Sequence, residues 1–255
     1  MELKNCSALI TGGASGMGKA TAMLLSEHGA YVAILDKNYA QAKQVAATIP
    51  HTIAIPCDIT DENSVINALN IISTTHGPAR ICINCAGIAR SSRMVGKNGP
   101  QPLAEFREVI DINLLGTFNV MRLAAAEMIK LESIPASGER GVIINTASIA
   151  AFEGQIGQTA YSAAKGGIVS LTLPAARELA QFGIRVNTIA PGLVDTPLFD
   201  ALPAEVRANL ANAVPFPKRL AKPSEYANLV LHIIENVMLN GSIIRLDGAL
   251  RMPPT

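Results

Sequence analysis

The sequence predicts an α/β fold: a single domain over residues 1–255, built as a doubly wound parallel sheet of about seven strands with helices on both faces. Three observations carry that reading. Short apolar runs alternate with longer amphipathic segments along the whole chain. Several of the short runs, "VAIL", "GVIIN" and "IRVNTIA", are apolar without interruption, as strands covered on both faces are. Strand and helix in alternation call for parallel pairing through right-handed crossovers.

In chain order, Ser7–Thr11 is the first apolar run, and Gly16–Glu27 follows with apolar residues recurring at three and four, the helical period. Tyr31–Leu35 and Thr52–Cys57 read as the next strands, separated by the amphipathic Tyr39–Thr48. Glu62–Thr75 is helical, Arg80–Asn84 a strand, and Leu103–Leu131 one long helix. Val142–Asn145 and Arg185–Ala190 read as strands on either side of a helix at Thr159–Phe182. The helix Ser224–Glu235 and the strand Ser242–Leu246 complete the alternation. Two segments fall outside it, an insert at Arg90–Pro102 and a late loop at Pro191–Pro223, and loops of that length within one domain are usually functional.

A chain of 255 residues, 49% of them hydrophobic, can bury one large core. Net charge is +1 and no Lys/Arg run occurs, so the electrostatic footprint of a nucleic-acid or anionic-membrane binder is absent and small molecules are the expected partners. The first residues enter an apolar run at once, leaving no room for a leader, and no apolar stretch reaches the eighteen or so residues of a membrane span. A soluble cytoplasmic protein is expected, or one of the mitochondrial matrix in a eukaryote. Cys82 and Cys85 have the spacing of a redox or metal motif, but residues three apart on a strand point to opposite faces, so no metal site is expected; Cys6 and Cys57 read as small core residues.

"TGGASGMG" at 11–18 stands between the first strand and the first helix, where a doubly wound fold presents backbone N–H groups to a pyrophosphate. Its glycines are Gly12, Gly16 and Gly18, a wider spacing than the G-x-G-x-x-G fingerprint. Asp36 ends the second strand, placed to accept hydrogen bonds from the adenosine ribose hydroxyls of a nucleotide. Tyr161 and Lys165 lie one helical turn apart on one face. Oxidation of a secondary alcohol needs a base near the hydroxyl, and a phenol with its ordinary pKa near 10 needs help to ionise. Lys165 and an oxidised nicotinamide are two positive charges that would favour the phenolate. Ser148 follows the strand at 142–145, at the sheet's carboxyl edge, where its hydroxyl can hold the reacting oxygen of a substrate.

These marks, with "CD" at 57–58, "NCAG" at 84–87, Asn113, "YSAAK" at 161–165 and "PG" at 191–192, identify the chain as resembling the short-chain dehydrogenase/reductase family nearly end to end. Cys85 stands where the family usually has Asn. The resemblance implies a Rossmann-type fold and a catalytic set of Asn113, Ser148, Tyr161 and Lys165, with Asn113 holding a water that links Lys165 to solvent and Lys165 also reaching the nicotinamide ribose. Ser148 and Tyr161 would contact substrate. It further implies that Ser15 and Met17 line the phosphate turn, that Asp58 and Ile59 flank the adenine with Asp58 accepting from its amino group, that Cys85, Ala86 and Gly87 pass the adenosine ribose, and that Val194 and Thr196 meet the nicotinamide carboxamide. A homotetramer built partly from the helices at 103–131 and 159–182 is implied as well.

Within the family, "RGVIINTASIAAFEGQIGQTAYSAAKGGIV", "VPFPKRL" and "IIRLDGALRM" are most similar to the branch that oxidises 3-hydroxyacyl-CoA and hydroxysteroids, and the insert sits where that branch carries one. An NADPH-dependent 3-oxoacyl-ACP or acetoacetyl-CoA reductase is the alternative, against which Asp36 argues because its charge repels a 2′-phosphate; Lys37 next door tempers that repulsion. A catalytically inert interaction protein on the same fold is the alternative of another class, and a sugar epimerase a weaker one. Met94 and Val95 of the insert, with Leu193, Leu198, Phe199 and Leu202 of the late loop, suit an acyl or steroid group. Arg90, Arg93 and Lys97 in the insert are expected to attract the phosphates of coenzyme A.

Overall fold

The computed structural model describes residues 1–97, 99–197 and 203–254. Uninterrupted apolar strands need cover on both faces, and the chain supplies it by alternating β1 (Ser7–Thr11), α1 (Gly16–Glu27), β2 (Tyr31–Asp36), α2 (Tyr39–Ala46), β3 (Thr52–Pro56), α3 (Glu62–His76) and β4 (Ile81–Asn84). After β4 come a short hairpin, β5 (Val95–Gly96) and β6 (Gly99–Pro100), and the helices α4 (Leu103–Ile110) and α5 (Thr117–Ile129). β7 (Gly141–Thr146), α6 (Thr159–Ala180), β8 (Ile184–Pro191), α7 (Ala204–Ala213), α8 (Pro223–Glu235) and β9 (Ile243–Leu246) follow.

Seven strands form one parallel sheet in the order β3-β2-β1-β4-β7-β8-β9. The order reverses between β1 and β4, the crevice where doubly wound sheets take ligands. One apolar layer packs Ile10, Ile34, Ile83 and Ile144 against Leu25 of α1 and Tyr226, Val230 and Ile233 of α8. The other packs Leu9, Leu35, Cys82 and Ile143 against Val65 and Ile72 of α3 and Val120, Ala124 and Met128 of α5. Cys82 belongs to the second layer while Cys85 packs against the first. The thiols therefore diverge, as strand geometry requires; all four cysteines are free, and no cluster of metal-ligating side chains occurs among the described residues.

Four local expectations are corrected. The single helix read over 103–131 is interrupted by a π-helical turn, Asp111–Gly116. The late loop contains α7 and is pinned by a parallel bridge between Val194 and Ala221. The insert carries its own hairpin, β5–β6. Contrary to the expectation that no stretch is long and apolar enough to span a membrane, the helical run Leu103–Ile129 meets that test by length and composition, at mean hydropathy 1.3; half of the qualifying window is buried inside the fold.

Candidate active site

A cleft of about 930 Å³ lies across the carboxyl ends of the strands, at the switch point. Its first wall is the glycine turn. Gly12 has φ +67°, and a Cβ there would sit 2.8 Å from the Ala86 backbone; a Cβ on Gly18 would run into the Gly12 carbonyl oxygen. Only bare backbone fits, so the N–H groups at the start of α1 face the cleft with no side chain between. Ser15 is the extended N-cap of α1 and its hydroxyl makes no capping bond. These features fit the pyrophosphate of a dinucleotide, and Ser15, Gly16, Met17 and Gly18 all line the cleft with Gly12.

Asp36 sits where β2 ends. Its Oδ2 accepts from Ala14 N at 3.1 Å and its Oδ1 from Asn38 N at 2.9 Å, which fixes the carboxylate against the glycine turn. Lys37 turns away to Asp58: Nζ donates to Oδ2 at 2.9 Å, and Thr60 donates to Oδ1 from both its backbone N and its Oγ1. These bonds, from Lys37 first and then Thr60, hold the Asp58 carboxyl down to about 2. Ile59, Cys85, Ala86 and Gly87 line the same end of the cleft.

At the other end stand Ser148, Tyr161 and Lys165. Ser148 is the extended N-cap of a short 3₁₀ turn, Ile149–Ala151, and its Oγ accepts from Ala150 N at 3.1 Å, leaving the hydroxyl proton free to donate. Burial pushes the Tyr161 phenol up from its ordinary value near 10, and the neighbouring Ser148 hydroxyl moderates that shift. Lys165 Nζ lies 5.8 Å from the Tyr161 ring centroid and donates to Thr146 O at 2.7 Å. Burial pushes its own pKa down to about 8.

Asn113 is fully buried and is absent from the cleft lining. Its Oδ1 accepts from Ile88 N and its Nδ2 donates to Ile88 O, both at 2.8 Å, so the side chain clamps the turn that follows β4. A Cβ on Gly87 would come within 2.7 Å of Asn113 Oδ1 and 3.6 Å of Lys165 Nζ, so the bare glycine leaves room for both side chains. The Asn113 backbone carbonyl accepts from Thr117 Oγ1 at 2.8 Å. Cys85 directs its sulfur to the Tyr226 hydroxyl, 3.5 Å away, and that hydroxyl lies 2.7 Å from Thr146 Oγ1.

Val194 and Thr196 line the cleft, with Thr196 seated over Gly16. Leu193 lines it too, whereas Met94 and Val95 are exposed hairpin residues outside the lining, and Leu198, Phe199 and Leu202 lie outside the described residues. Arg90 pairs with Glu108 at 3.0 Å, and none of Arg90, Arg93 and Lys97 reaches the lining. Arg107, Gln158 and Met252 are among the lining residues that the sequence pattern did not single out. Gln158 precedes Tyr161 by three residues, a spacing that shares its helical face and could have revealed it. For Met252 the sequence holds no such clue.

The chain matches the family model described as short chain dehydrogenase over residues 7–207. It is 53% identical to a Bos taurus 3-hydroxyacyl-CoA dehydrogenase type-2, over 99% of this chain and 98% of that protein. A crystal structure of 3-hydroxyacyl-CoA dehydrogenase type-2 from Mycobacterium avium superposes with a TM-score of 0.94 at 40% identity, covering 98% of each chain. A 3-ketoacyl-(acyl-carrier-protein) reductase from Brucella melitensis complexed with NADH superposes at 0.86 with 27% identity, covering 98% of this chain and all of that one. With the glycine turn and the Ser148, Tyr161 and Lys165 group at the two ends of one cleft, this chain belongs to the short chain dehydrogenase family, oxidoreductases that use nicotinamide cofactors.

Proposed function

We propose that the protein interconverts the secondary alcohol of a 3-hydroxyacyl-CoA and the corresponding ketone, with NAD(H) as cofactor. The observation that carries this is the gathering of Ser148, Tyr161 and Lys165 in the same cleft as the glycine turn and Asp36. When bound, the nicotinamide supplies the acceptor for the hydride that leaves the carbinol carbon. Tyr161 takes the hydroxyl proton, and Ser148, whose own proton is uncommitted to the backbone, donates to the reacting oxygen. Burial holds Tyr161 protonated in the unliganded protein, so the phenolate forms only once positive charge is brought beside it. Lys165, anchored by Thr146, keeps its remaining N–H donors for a ribose hydroxyl and for Tyr161. Asn113 fixes the backbone at Ile88 that forms the opposite wall.

Asp36 supports NAD over NADP, because a fixed carboxylate accepts from a ribose diol and repels a 2′-phosphate. Lys37, the neighbouring cation that could relieve that repulsion, is directed at Asp58. The acyl-CoA assignment draws on the relatives' printed activity and on the apolar Leu193, Ile149 and Met252 at the substrate end. We also propose a homotetramer, for which the outward apolar residues Leu103, Leu115 and Phe118 on the 103–129 run and Leu173 on α6 provide contact surface; light scattering after size exclusion tests it. The activity is tested by steady-state kinetics with NAD⁺ and with NADP⁺ against 3-hydroxyacyl-CoAs and hydroxysteroids. Turnover of steroids with none of the thioesters refutes the substrate reading, and equal kcat/KM for the two cofactors refutes the NAD reading.

A further inference from the structure

Met252 comes from the far end of the chain, more than a hundred positions after Ser148, yet both line the substrate end of the cleft. The segment that carries it is tied down on both sides of Met252. Ile156 N donates to Pro254 O at 2.9 Å, and Gln155 Nε2 donates to Pro253 O at 3.2 Å. Arg245 grips Glu153 with two bonds, at 2.8 and 2.9 Å, and donates to Leu250 O at 3.1 Å. Arg251 pairs with Asp247 at 3.2 Å and with Glu153 at 3.4 Å. Apart from Arg245 and Asp247 at the end of β9, these partners lie between Glu153 and Ile156, in the loop that joins the Ser148 turn to the Tyr161 helix. Beneath the clasp, Met252 packs with Leu250, Ile149, Val214 and Leu193 in a small apolar cluster of its own.

This arrangement gives Met252 a backed position. Its neighbours on one side are Ile149, next to Ser148, and Leu193, at the start of the late loop; on the other side is the cleft. On a backbone held this way, one unbranched, adaptable thioether fills the space between that backing and the cleft. We propose that Met252 determines specificity by limiting the length of the alkyl group accepted beyond the carbinol carbon. The inference rests on the reading that the substrate is a 3-hydroxyacyl thioester, and its test separates the two.

The variants are Met252→Ala and Met252→Phe, and the measurement is kcat/KM along two homologous series: 3-hydroxybutyryl-CoA through 3-hydroxydodecanoyl-CoA, and 2-butanol through 2-dodecanol. The quantity read is the ratio of long-chain to short-chain kcat/KM within each variant, which a general loss of folded protein or cofactor affinity does not move. Each methylene gained or refused in an apolar pocket changes kcat/KM by about tenfold or more. The Ala variant is expected to raise the ratio by about tenfold and the Phe variant to lower it by a similar factor. If both variants shift every chain length by one common factor, or leave the ratio where it was, Met252 is a packing residue and the proposal is overturned. If the wild-type protein oxidises the alkanols and no thioester, the acyl-CoA reading fails, and the role of Met252 is decided by the alkanol series alone.

Discussion

Replacing Lys165 by Met should make the protein more stable near neutral pH while abolishing activity, and the gain should fade as pH rises. Lys165 is 5% exposed, and burial pushes its pKa from about 10.5 down to about 8. The difference corresponds to a cost of about 3 kcal/mol for keeping the ammonium in the folded protein below both values. Between about pH 8 and 10.5 the folded lysine has released its proton while the unfolded one still holds it, so the unfolded state binds more protons and stability rises with pH. Met has similar bulk and no charge, but it forfeits the hydrogen bond to Thr146 O, worth about 1 kcal/mol. The net gain at about pH 7 is therefore expected to be roughly 1–2 kcal/mol, and it should shrink by about 1.3 kcal/mol by about pH 9. Urea unfolding of both proteins at the two pH values reads this directly. A stability difference that is the same at both refutes the idea that the buried lysine carries its charge at a cost.

Tyr161→Phe keeps the ring packing and removes the ionisable oxygen, so kcat should fall by about 10²–10⁴-fold while NADH binding, followed by fluorescence titration, persists; a rate above about a tenth of wild type would place the base elsewhere. Asp36→Ala should narrow the preference for NAD⁺ over NADP⁺ by about tenfold in kcat/KM and also weaken NAD⁺ binding, because the carboxylate's bonds to Ala14 N and Asn38 N are lost; an unaltered ratio argues that another group discriminates. Replacing Arg90, Arg93 and Lys97 together by Ser should raise KM for a CoA thioester by less than about tenfold, and by less still in high salt, since Arg90 is already paired with Glu108 and the three act from beyond the cleft lining. An equal change with a substrate lacking CoA would remove phosphate attraction as the cause.

The elements with a strong apolar signal were legible in the sequence: β1 and α1 have the bounds that their patterns predict, β1 because every residue is buried and α1 because one face is. α7 was not, since none of its residues is buried and its helix therefore leaves no apolar stripe to read. The β5–β6 hairpin has strands of two residues, too short for any alternation. Ser148, Tyr161, Lys165 and the glycines could be found because each is tied to a particular strand end or helix turn. Met252 and Arg107 reach the cleft only through the tertiary fold, and the pairing of Lys37 with Asp58 depends on β2 and β3 lying side by side, so neither could be seen along the chain. The depression of the Lys165 pKa was hidden for the same reason: it comes from enclosure, which spacing does not report.

The π-helical turn at Asp111–Gly116 acts as a phase shifter between two helices that would otherwise be one rod. Each residue advances an α-helix by about 100°, so one extra residue in a turn rotates everything downstream by about that angle relative to an unbroken helix. Upstream of the turn, Phe106, Val109 and Ile110 of α4 face Ala160, Tyr161 and Ala164 of α6; downstream, Val120, Ala124 and Met128 of α5 face the sheet. A single continuous stripe could not satisfy both neighbours at their observed positions. Asn113 sits within the shifter, at the point where it can clamp Ile88. Deleting one residue from the turn would return the run to uniform pitch. It would force a choice between α4 packing on the Tyr161 helix and α5 packing on the sheet. In either outcome the Ile88 clamp loses its register, so the alignment of the cleft depends on a single surplus peptide unit.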